Sequence, residues 1–103
     1  MKPNRKRYVR FELHHRDARI SKRQINDAMW QELLSLFGES GIADTRLYLN
    51  EYDDEEGVGI LQCNAVYLEQ VIQAAILIRA IDGTPVSFEP LKTSGTLKSL
   101  KSA

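Results

Sequence analysis

The groups in this chain best able to do chemistry are two histidines, one cysteine, a run of four carboxylates and two clusters of cations. His14 and His15 are adjacent. In an extended segment their side chains point to opposite faces, which makes them a poor metal pair. Cys63 lies at the end of an apolar run and has no cationic neighbour in sequence to favour its thiolate, so it is expected as a small core residue and not a nucleophile. Asp53, Asp54, Glu55 and Glu56 stand side by side. A magnesium site there would need phosphate and water to complete its octahedron, and the spacing is not that of an EF-hand, so a solvated turn is expected. Gly57-Val58-Gly59 lacks the third glycine and the following Lys-Ser/Thr of a phosphate loop. No local arrangement pairs a nucleophile with a base. The expectation is therefore no catalytic residue, no metal ligand and no cofactor held by the protein itself.

The cations point elsewhere. Formal net charge is zero, but residues 1–23 hold nine Lys/Arg against two Asp/Glu. Residues 24–91 hold two basic and twelve acidic residues, and residues 92–103 hold three lysines and no acid. Basic ends and an acidic middle suggest separate surfaces for separate partners. A basic arm over residues 1–6 that only aids solubility is the simpler alternative. A chain of 103 residues with 43% hydrophobic residues is expected to be one domain with a modest core. No apolar run reaches the roughly 20 residues of a membrane span, and a single cysteine excludes an internal disulfide framework. A soluble, reduced, cytoplasmic protein that makes no membrane contact is expected.

The elements that must position these charges follow from periodicity. Residues 7–14 alternate apolar and polar, with Val9, Phe11 and Leu13 on one side, and predict a strand. Ser21 with Gln24 forms a capping box for a helix running to about Phe37 and stopped by Gly38. Ile25, Ala28, Met29, Leu33, Leu36 and Phe37 make its inner stripe, and Trp30 and Leu34 widen it. Residues 46–52 predict a second strand, with Leu47 and Leu49 inward and Arg46, Tyr48 and Tyr52 outward. Residues 53–57 turn back into a third strand, 58–63. Asn64 caps a second helix to about Ala80. Asp82-Gly83 is a turn, residues 86–91 a fourth strand, and residues 94–103 a short helix or basic tail.

The order β-α-β-β-α-β is the ferredoxin-like, RRM-like plan of an α+β sandwich. It predicts an antiparallel sheet of spatial order 4-1-3-2 with the helices on one face. The end of the fourth strand then lies beside the start of the first. Lys2, Arg5, Lys6, Arg7 and Arg10 should meet Lys92, Lys98 and Lys101 in one basic pole, with Ser94, Gly95 and Thr96 adding backbone and hydroxyl donors where a short helix begins. Arg16, Arg19, Lys22 and Arg23 fall at the opposite end. Tyr8 faces outward on the first strand, but the third strand offers no aromatic. Any nucleic-acid contact is therefore expected to be electrostatic and shape-directed, with no base stacking of the RRM kind. On the helices, Trp30, Leu34, Ile76 and Leu77 exceed what one sheet face can cover, which points to a protein interface.

Four segments together resemble one family. Residues 28–39 with their terminal Gly38, the run Gly57-Val58-Gly59-Ile60-Leu61-Gln62-Cys63, the run Thr93-Ser94-Gly95-Thr96-Leu97-Lys98, and Arg7-Tyr8-Val9 occur in an order and spacing similar to the protein component 2 family of archaeal and eukaryotic ribonuclease P. The resemblance implies a non-catalytic subunit of an endoribonuclease that trims the 5′ leader from precursor tRNA. It implies that the catalytic RNA does the chemistry with its own bound magnesium. It further implies contact with that RNA, indirect contact with precursor tRNA, and pairing with ribonuclease P protein component 3, with room for a homodimer or a heterotetramer. Two alternatives stay open: a stand-alone ferredoxin-like regulatory or oligomerisation module that binds a small molecule or a protein, and the sister ribonuclease P subunit of similar fold.

Overall fold

A computed structural model describes residues 5–16 and 19–101. The first strand, β1 (Lys6–His15), keeps its period of two: Val9, Phe11 and Leu13 are buried and the residues between them are not. Helix α1 (Lys22–Thr45) opens with the expected capping box, in which Ser21 Oγ accepts from the Gln24 N–H and Gln24 Oε1 accepts from the Ser21 N–H. It does not stop at Gly38. That residue adopts φ 73°, ψ 175°, a kink only glycine takes cheaply, and the chain then resumes helical turns to Thr45. The left-handed cap falls instead on Arg46, with φ 51°. Strand β2 is accordingly shorter than expected, Tyr48–Asp53.

Strand β3 (Val58–Asn64) leads through a 3-10 turn, Ala65–Tyr67, into helix α2 (Leu68–Leu77). The Asn64 side chain caps that turn by accepting from the Val66 N–H. Helix α2 ends earlier than Ala80 because Ile78 is extended, and Ala80–Ile81 form a short strand, β4. Asp82 and Gly83, both with positive φ, make the two-residue turn into β5 (Thr84–Ser94), so β4 and β5 are a hairpin. Helix α3 (Leu97–Lys101) follows.

The sheet has five strands in the order β2-β3-β1-β5-β4, all pairings antiparallel. The four-strand order 4-1-3-2 is corrected by the added edge strand. Alternation along residues 80–81 is too short to signal a strand before it is paired. Helices α1 and α2 cover one face. Ile25, Met29, Leu33, Val71, Ala74 and Ala75 join Val9, Phe11, Leu13 and Leu61 in a single core. Helix α3 does not share that face. Leu100 is buried against the other side, beside Arg10 and Ile60 and outside the main core.

Two β-bulges re-aim side chains. In β2, Leu49 pairs with Leu61 but Glu51 pairs with Ile60, so Asn50 is an extra residue. Beyond it the alternation inverts, and Tyr52 points inward, its ring 6.1 Å from that of Phe11. The outward placement of Tyr52 is thereby corrected. In β5, Leu91 is left unpaired between Lys92 and Pro90. Phe11 also stacks on Phe88, at 4.5 Å. Its ring occupies the space over Gly59, where a Cβ would come within 2.7 Å of the Phe11 ring and of the Glu51 carbonyl oxygen.

Candidate nucleic-acid interface

The basic end is assembled by sheet register. Antiparallel pairing sets Tyr8 opposite Ser94 and Arg10 opposite Lys92, which brings the end of β5 beside the start of β1. A Cβ on Gly95 would lie 3.4 Å from the Arg7 guanidinium. Arg5 is tied in as well, since its carbonyl accepts from the Ala65 N–H at 2.7 Å. Arg5 and Lys6 therefore belong to the folded body and not to a loose arm. Lys98 is carried on α3 and is exposed. Lys101 closes that helix, while Lys2 lies outside the described residues.

The same end holds a cation that the sequence did not single out as part of the pole. Arg46 caps α1 immediately before β2, and β2 starts opposite the end of β3, with Tyr48 paired to Gln62. The Asn64 amide donates to the Asp44 carbonyl at 3.3 Å, which fixes the end of α1 beside the end of β3. The signal was present: Arg46 is one of only two basic residues in the acidic middle of the chain. Its position needed the helix to continue past Gly38.

Charge pairing separates the two ends. Among the described residues, Arg5, Lys6, Arg7, Arg10, Arg46, Lys92 and Lys98 take part in no ion pair. At the far end Arg19 lies 3.9 Å from Asp54 and 3.8 Å from Glu55, Arg23 lies 3.9 Å from Asp27, and the Lys22 ammonium donates to the Asn50 carbonyl. Arg16 shares a cleft with Asp54, Glu55 and Glu56. Arg19, Lys22 and Arg23 thus have anionic or carbonyl partners, and Arg10, like Arg16, shares a cleft with carboxylates, those of Glu51, Asp53 and Glu56, whereas the other cations at the pole are left to an external anion.

The remaining candidates resolve as follows. The trio Ser94, Gly95 and Thr96 forms a cap and turn: Ser94 Oγ accepts from the Thr96 N–H and Thr96 Oγ1 from the Ser99 N–H, so of the expected donors the Thr96 N–H is used internally. In the acidic turn, Asp53 Oδ1 accepts from the Glu55 and Glu56 N–H groups, and Asp54 and Glu55 face Arg19, so its carboxylates serve the hairpin. His14 and His15 point apart. His14 instead bonds Glu89 at 2.7 Å, with Glu12 at 3.6 Å, and the Glu89 bond holds its pKa above 6.5. Cys63 is buried, and burial pushes its thiol up to about 11, which leaves it unreactive at neutral pH.

On the helices, Leu34, Ile76 and Leu77 are 42%, 51% and 54% exposed. Trp30 is partly buried: it packs against the core and keeps part of its surface exposed. Leu36, expected on the inner stripe, is exposed.

A model of the Rpp14/Pop5 family matches residues 7–103 of this sequence. The chain belongs to that family. The match to Rpp14/Pop5 proteins opens at Arg7 and runs through α3, so it takes in most of the basic end. The chain is similar to a ribonuclease P protein component 2 from Archaeoglobus fulgidus, at 35% identity over 98 residues, covering 95% of this chain and 86% of that relative. It is similar to a protein of the same description from Pyrococcus horikoshii, at 30% identity over 98 residues, covering 95% and 81%. In structure, a chain in a cryo-EM structure of yeast ribonuclease MRP matches with a TM-score of 0.73 at 13% identity, over 94% of this chain and 79% of that one. At that identity the likeness concerns the fold alone, and it places the sheet of this Rpp14/Pop5 protein among known architectures.

Proposed function

We propose that this chain is a protein subunit of ribonuclease P that supports the catalytic RNA in removing the 5′ leader from precursor tRNA. Family membership supplies the setting, and the relatives named ribonuclease P protein component 2 supply the assembly. The observation that carries the role is the set of unpaired cations gathered from both chain ends at one end of the sheet. Where RNA strands crowd together, phosphates repel one another. Fixed cations displace mobile counterions and allow closer packing. The task is structural and electrostatic: the protein orients and neutralises, and the phosphodiester hydrolysis belongs to the RNA with its own magnesium.

The exposed apolar positions Leu34, Ile76 and Leu77 lie on the helical side, away from the outer sheet face. We assign that side to a protein partner, ribonuclease P protein component 3, and place the working complex, a heterotetramer or smaller, in the cytoplasm. Reconstitution tests the reading. The RNA and the other protein subunits are assembled with and without this chain, and leader removal is followed as magnesium is lowered. Omission should raise the magnesium requirement and slow cleavage. Identical rates at every magnesium concentration would overturn the proposal, and cleavage by the isolated chain would overturn its non-catalytic role.

A further inference from the structure

The face of the sheet opposite α1 and α2 is only partly covered. Helix α3 crosses one half of it, with Leu100 seated over Ile60. The other half presents a row that runs across four strands. Tyr48 of β2 pairs with Gln62 of β3, Gln62 with Tyr8 of β1, and Tyr8 with Ser94 of β5. The next residues along each strand, Leu49, Leu61 and Val9, are buried in the core, so this row must point outward. Tyr48 is 57% exposed, and Tyr8 and Gln62 are partly so. Among the described residues, neither tyrosine stacks on another ring and neither hydroxyl is hydrogen-bonded.

We propose that Tyr48, Gln62 and Tyr8 form a platform on which unpaired RNA bases stack. The inference rests on the RNA-binding role argued above. Strands stand about 4.8 Å apart, so the two rings lie roughly 10 Å apart with the Gln62 amide between them. Each ring offers a π-face to one base, and the amide carries both donor and acceptor for a base edge. Alternation along β1 puts Lys6 and Arg10 on the same face as Tyr8, one on either side, and Arg10 is paired with Lys92. These cations lack partners within the described residues, so the backbone of a strand laid along the row would meet positive charge. The surface is aromatic, amide-bearing and cationic, which suits a nucleic acid, whereas the apolar surplus of the molecule sits on the other face. Paired RNA keeps its base faces inside the helix, so only an unpaired segment can use the rings.

The test is fluorescence anisotropy on the full chain with a labelled short oligouridylate and, separately, a labelled short RNA duplex. Tyr48→Ala should weaken oligouridylate binding by about tenfold, the effect of losing one stacked base, and leave duplex binding unchanged. Tyr8→Phe should bind as the parent does. Tyr8→Leu, which keeps apolar bulk but removes the ring, should lose affinity for the single strand only. Lys6→Gln should weaken both RNAs. Thermal denaturation establishes that each variant is folded, and exposed Tyr48 is the position where substitution least disturbs the core. Unchanged oligouridylate affinity in Tyr48→Ala, or equal losses on both probes, overturns the platform. A parent chain that binds the duplex but not oligouridylate also overturns it and leaves the subunit role intact. A parent chain that binds neither overturns the platform, and the subunit role is then decided by the reconstitution.

Discussion

Residue by residue, the glycines of the third strand are set by close approach and not by phosphate binding. Gly59 leaves the gap that the Phe11 ring fills, and Phe11 in turn stacks on Tyr52 and Phe88. Gly59→Ala puts a methyl 2.7 Å from that ring and from a backbone oxygen that cannot yield. We expect a loss of about 1–3 kcal/mol, measured by urea denaturation, with RNA affinity of the folded fraction unchanged. His14 gives a second expectation. The Glu89 hydrogen bond, then burial opposing it and the Glu12 and Glu89 charges assisting, raise its pKa above 6.5. A raised folded-state pKa contributes stability that is full below 6.5 and is lost as pH rises through the folded value. Glu89→Gln should therefore lower the urea midpoint slightly at pH 5.5 and not at pH 8.5. The exposed side chains keep the effect small. An NMR titration of His14 that gives a pKa of 6.5 or below would contradict this.

For the elements, the strongly periodic ones were legible from sequence and the interruptions were not. The β1 alternation and the Ser21 capping box appear where the residues put them. Gly38 takes a positive φ, but such a residue can kink a helix as well as end one, and only packing decides. The bulge at Asn50 turned Tyr52 inward, and no residue type announces a bulge. β4 exists only because Asp82-Gly83 folds it back on β5. Of the candidate site, the convergence of the two basic ends followed from topology, whereas Arg46 and the tyrosine row depended on exact strand starts. The apolar helix faces yield an expectation at this scale. Leu34→Glu and Ile76→Glu replace side chains about half exposed, so the thermal midpoint should move little while association with the partner subunit weakens by about 2 kcal/mol or more if they sit at an interface centre. Unfolding in either variant would assign these residues to the core.

For the molecule as a whole, function turns on how charge is arranged and not on its sum. Replacing Lys6, Arg7 and Lys98 with Gln should weaken binding to structured RNA and flatten the dependence of log affinity on log salt by roughly one unit for each phosphate no longer neutralised. Stability should hardly change, because among the described residues none of the three belongs to an ion pair. An unaltered slope would move attention to Arg16 and its neighbours at the acid-rich end.

The segregation of free cations at one end and of the balancing excess of carboxylates away from it has a kinetic consequence. A chain of zero net charge is not drawn toward RNA from afar. Beyond a screening length of about 8 Å in physiological salt, its two ends cancel. Closer in, the field acts as a torque: it rotates the protein until its positive end faces the phosphates and does little to speed the encounter itself. Salt should therefore act mainly by quickening dissociation, leaving the rate of arrival almost untouched. A subunit of this design does not compete for every polyanion in the cell, and it settles in one orientation on the RNA it reaches.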